Sequence, residues 1–219
     1  MKKGLALAAA LLVALTLSAT ASFARGAKSG SDHTTKVRDL SLELVGQVTN
    51  SPAGVSPATS IQYGYLAYLG GLATFSGDPQ NETTALFSFF VQATTTRVIV
   101  NGPLRIVTRE ATMTIYRDPS PNGNFANPDT FQDGTPVLVA GVRQQVIVNT
   151  TTGSFTALNS NTITSTSSFP EANGQVQLGE VGQQFKTIIH GQLNSPAPSA
   201  YMAGYTLSSS DRPNHGGDD

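Results

Sequence analysis

Side chains able to do chemistry are few in this chain, and most of them stand alone. The most regular spacing of oxygen ligands runs from Asp118 to Asp129. Asp118, Ser120 and Asn122 take the first, third and fifth places of that segment, Gly123 the sixth and Asp129 the twelfth. Alternating oxygens, a glycine that permits a sharp turn and a closing carboxylate are what a hard cation such as calcium requires. A second acidic turn carries Asp78 and Glu82. Two carboxylates can divide acid and base roles, but a four-residue separation across a turn leaves both solvated.

The spacing from Asp118 to Asp129 resembles an EF-hand calcium loop. It departs from that pattern in its flanks, which read as strands, in Pro119 and Pro121, and in having only two carboxylates, the last an Asp. Its alternative reading is an ordinary surface loop rich in Asp, Asn, Pro and Gly. Catalytic constellations do not assemble. His33 and His215 fall in terminal segments, which leaves His190 alone in the body, too few ligands for a zinc site. No Gly-x-Ser-x-Gly elbow accompanies it to supply a nucleophile. Absence of cysteine removes thiolate metal sites, disulfides and cysteine nucleophiles.

Arg143 and Gln144 are the best candidates for contact with a ligand. They are adjacent on a strand of otherwise apolar character, so whichever face points inward carries one polar group into an apolar interior. A few polar groups converging in an apolar cavity is the common form of a small-ligand site. Arg105, Arg109 and Glu110 are weaker candidates of the same kind. The aromatics Tyr63, Tyr65, Tyr68, Phe87, Phe89 and Phe90 read first as core, and only second as a ligand-stacking surface.

The elements that must hold these residues follow from composition and period. Charged residues are 12% of the chain, about half the usual share, and 26 Thr with 21 Ser supply the polarity instead. Formal net charge is −1, so no polybasic surface exists for nucleic acid. Apolar residues alternate with a period of two along Leu40 to Val48, Ile61 to Leu69, Ala85 to Ala93, Leu138 to Val148 and Tyr201 to Leu207. Turn pairs separate the runs, with Asn101-Gly102 the strongest hairpin signal and Pro103 starting the return strand. From Leu104 to Arg117 the apolar face switches, which predicts a bulge near Thr108 to Glu110.

The fold class is therefore all-β: a single antiparallel barrel of roughly eight to ten strands, with a β-sandwich as alternative. In architecture alone it resembles the small calycin-like, lipocalin-like, dirigent-like and allene-oxide-cyclase-like barrels. No motif of any such family carries over to a residue here.

Lys2 and Lys3, the apolar run Gly4 to Leu17 and the small residues around Ala21 and Ala24 read as a signal peptide cleaved after one of those alanines. The apolar run is shorter than a membrane span needs. The expected organisation is signal peptide 1–24, linker 25–38, barrel 39–207 and polar tail 208–219, in a secreted (extracellular or periplasmic) protein. Three functions stay open: non-catalytic binding of a small or apolar ligand, a structural or adhesive surface role stiffened by calcium at Asp118 to Asp129, and a cofactor-free isomerase or cyclase. The first leads. It implies no nucleic-acid partner, no membrane span and no cofactor beyond the candidate calcium.

Overall fold

Leu42, Leu44 and Val48 lie an even number of residues apart, so an extended chain turns all three to one side. In the computed structural model, which describes residues 34–210, that side is the inside of a closed barrel. The strands are β1 (Thr34–Val37), β2 (Leu42–Asn50), β3 (Thr59–Leu69), β4 (Phe87–Asn101), β5 (Leu104–Arg117), β6 (Thr135–Asn149), β7 (Ser154–Thr166), β8 (Ser168–Glu171), β9 (Gly174–Leu178), β10 (Gln184–Leu193) and β11 (Ala200–Ser210). Eight of them close in the order β10-β11-β2-β3-β4-β5-β6-β7, and β7 pairs back onto β10. Every ladder of the barrel is antiparallel. Closure leaves the barrel no free edge, and it sets aside the sandwich. The signal peptide, most of the linker and most of the tail lie outside the described residues. Among the described residues no helix is long and apolar enough to cross a membrane.

One end of the barrel is plugged. Leu42, Leu66, Leu69, Phe87, Ile115, Leu138, Ile163 and Phe185 are all 1% exposed or less and form one cluster. Full burial of each such side chain contributes about 1.5–3 kcal/mol before chain entropy is counted. The strands β8 and β9 with β1 make a small second sheet, in which β1 runs parallel to β9. It closes over this end, with Phe169 edge-on to Phe87 at 5.6 Å and Leu178 fully buried. Arg117 holds the small sheet in place, pairing with Glu171 at 3.0 Å. So Thr34–Val37, expected as linker, is a strand of this cap, and the final barrel strand extends to Ser210.

Midway along the lumen the wall is thinned by glycine. A Cβ on Gly46 would sit 2.4 Å from the Tyr63 carbonyl oxygen and 2.9 Å from the Phe89 ring. Bare backbone there admits the ring that the lumen buries.

Three expectations are corrected in detail. The β4–β5 turn is Gly102-Pro103, with Gly102 at φ +57° as the first central position of a two-residue hairpin demands, and β5 starts at Leu104. The bulge sits on β4 at Thr96, opposite Thr108 and Arg109, not on β5. Along β5 the period of two never breaks: Arg105, Val107, Arg109, Ala111, Met113 and Ile115 share the inner side. The apparent switch of face arose because that side is cationic at one end. Likewise the lumen face of β3 is Ser60, Gln62, Gly64 and Leu66, while Tyr63 faces outward with Phe90. The outer aromatic face is buried because the 118–134 loop lies on it: Phe131 and Phe125 approach Tyr63 at 5.6 and 6.2 Å between ring centres.

Candidate functional site

The unplugged end of the lumen opens into a cavity of about 540 Å³. Antiparallel pairing places there the last residues of β2, β6 and β10 and the first of β3, β5, β7 and β11. Its apolar wall comes from Val48, Phe155, Ala157, Ile189, Ala200 and Met202, on β2, β7, β10 and β11. β5 lies on the other side of the ring from β11 and brings Arg105 and Arg109, with Val107 between them. The 51–58 loop borders the mouth and is tied down by Ser51 N–H to the Thr59 carbonyl at 2.9 Å and Thr95 N–H to the Ala58 carbonyl at 2.8 Å.

The floor of this cavity is polar. In the ladder Arg109 faces Gln144, Gln144 faces Asn159 and Asn159 faces Thr187, so four consecutive strands carry inward polar residues side by side. Gln62 reaches across the lumen from the far wall. Its Nε2 donates to Gln144 Oε1 at 3.0 Å, and Gln144 Nε2 donates back to Gln62 Oε1 at 3.2 Å and to Asn159 Oδ1 at 3.1 Å. Gln62 and Gln144 are 3% and 1% exposed, so this exchange of amide hydrogen bonds takes place away from water. Buried amides cost about 1–3 kcal/mol each when left unpaired, which explains why they meet in reciprocal fashion.

Arg109 closes the belt. Its Nη1 donates to Gln144 Oε1 and its Nη2 to Asn50 Oδ1, both at 3.3 Å, while Nε is buried with no acceptor. Burial holds the Arg109 guanidinium below the ordinary arginine range, and the charge of Arg105 pushes it the same way. No Asp or Glu lines the cavity.

The two sequence candidates on β6 part company here. Gln144 lies in the lumen at the centre of the belt, whereas Arg143, one residue away, is exposed on the outer wall across from Glu110. Arg105 and Arg109, ranked lower in the sequence, are the cations that line the cavity. Gln62 and Asn159 were missed. The signal for them was a polar residue at an even spacing from lumen residues: Gln62 from Leu66, Asn159 from Ala157 and Ile163.

The calcium candidates make hydrogen bonds within their own loop. Asp118 Oδ1 accepts from Ser120 N–H at 2.8 Å, Asn122 Nδ2 donates to Asp133 at 2.9 Å, and Asp129 Oδ1 accepts from Gln132 Nε2 at 3.0 Å. Among the described residues no group of three or more His, Cys, Asp or Glu is placed to hold a metal ion. His190 is exposed on β10, where its Nδ1 is 3.1 Å from Thr156 Oγ1. Glu82 of the other acidic turn lies by Tyr65, whose hydroxyl is raised above its usual range by burial first and by that carboxylate second.

Compared with protein-family models, with curated proteins and with solved structures, the chain matches none.

Proposed function

We propose that this chain is an exported barrel that binds one small, largely apolar ligand in the open half of its lumen. The cavity carries this reading. At about 540 Å³ it has the size of a single small-molecule site, and its lining pairs apolar walls with a few convergent polar groups. Eight strands enclose an interior just wide enough for side chains or for one such ligand, and here side chains fill one half only. Outside the polar belt the inward positions are mostly apolar, as a site for an apolar ligand requires. Export follows from the N-terminal segment, with cleavage after Ala21 or Ala24.

The test is a titration with the uncharged dye Nile red, which fluoresces on leaving water. The native chain is expected to bind one equivalent. Ala157→Phe, which fills the cavity from β7, is expected to abolish binding while thermal unfolding stays cooperative. Equal binding by the folded variant would place the dye elsewhere and overturn the reading. Organic extraction of the chain purified from its exported fraction, followed by mass spectrometry, then identifies the natural occupant.

A further inference from the structure

We propose that the occupant is an amphipathic anion, an apolar body carrying one carboxylate or similar oxyanion, with its head between Arg109 and Arg105. This rests on the ligand-binding reading above and goes further by giving the ligand a charge. The argument starts from what Arg109 lacks. A guanidinium has five donors and is always charged, so inside a protein it is normally met by a carboxylate. Arg109 has only two neutral amide oxygens, both at 3.3 Å, longer than a well-formed N–H···O bond. Its buried Nε has nothing.

Compensation from within the chain is absent among the described residues. The two ion pairs are Lys36–Glu180 and Arg117–Glu171, and neither touches the cavity. A second cation, Arg105, lines the same wall four residues along β5. Two cations without a counter-ion repel each other, and the lowered proton affinity of Arg109 has that repulsion as its second cause. An oxyanion placed between them would offset the repulsion and accept charge-assisted hydrogen bonds from the two guanidinium heads. The wall opposite, formed by Val48, Ile189, Ala200 and Met202, has no charge to offer and suits an alkyl or ring body. Neutral apolar ligands would fill the space but leave both arginines as they are.

Calorimetric titration of the native chain with decanoate, decanol and protonated decylamine separates the cases. Decanoate is expected to bind at least about tenfold more tightly than decanol, the discrimination one charge-assisted contact gives, and decylammonium not to bind. In Arg109→Met the decanoate-to-decanol preference should collapse toward one; Arg105→Gln should lower it in part. If Arg109→Met does not fold, Arg105→Gln and the three-ligand series on the native chain decide. Equal affinities for decanoate and decanol in the native chain would overturn this inference and leave the apolar site intact. Binding of none of the three would overturn the ligand-binding reading itself.

Discussion

Gln144 is the residue on which the lumen's polar contacts converge. Its one side chain accepts from Gln62 and Arg109 and donates to Gln62 and Asn159. Replacing it by Leu strands both ends of the Gln62 amide, at about 1–3 kcal/mol for each orphaned group, and removes one of the two acceptors of Arg109. Gln144→Leu should therefore lower stability by at least about 2 kcal/mol in urea unfolding. The double change Gln62→Leu with Gln144→Leu removes both partners at once and should cost less than the two single changes added together. Strict additivity would show that the two amides do not depend on each other. At this scale the sequence was partly legible. Adjacent Arg143 and Gln144 had to face opposite ways, but nothing in β6 alone says which side is the lumen. That depends on Gln62 reaching over from β3, a contact between residues 82 apart in sequence.

Strands were easier to read than their faces. Period-two alternation marked β2 to β6 and β11 but no run over β7, and β3 and β11 present Tyr63, Tyr65, Tyr201 and Tyr205 outward, where apolar residues were expected to mark the core. On β3 the cause is a second layer. The 118–134 loop, which resembled a cation loop by its spacing, packs Phe131 at 1% exposure against Tyr63 and Phe90 and makes the outer wall a small core of its own. Ser88 Oγ fixes it by donating to the Phe131 carbonyl at 2.9 Å. Loop residues cannot announce in sequence which surface they will cover. Phe131→Ala should cost about 3–5 kcal/mol, the usual range for a buried phenylalanine. Because this cluster is outside the barrel wall, the folded variant should bind Nile red as the native chain does. Loss of binding at unchanged stability would show that the loop shapes the cavity.

At the scale of the molecule, the two halves of the barrel differ in what fills them. Leucine and phenylalanine pack one half and a small sheet covers it. The other half is left to a belt of amides, two unpaired arginines and an open cavity. Low charge in the composition pointed to an all-β chain with hydroxyls on its outer faces; it did not disclose that Arg109 stands in the lumen with Arg105, solvent-exposed, lining the same cavity. The central claim is that ligand enters there. Methyl-resolved NMR during titration with decanoate tests it most directly. Shifts should concentrate on Val48, Val107, Val146, Ile189 and Met202, and leave the outward-facing Ile99, Leu158 and Val181 where they were. Shifts spread over the outer methyls with the lumen set unmoved would contradict the account.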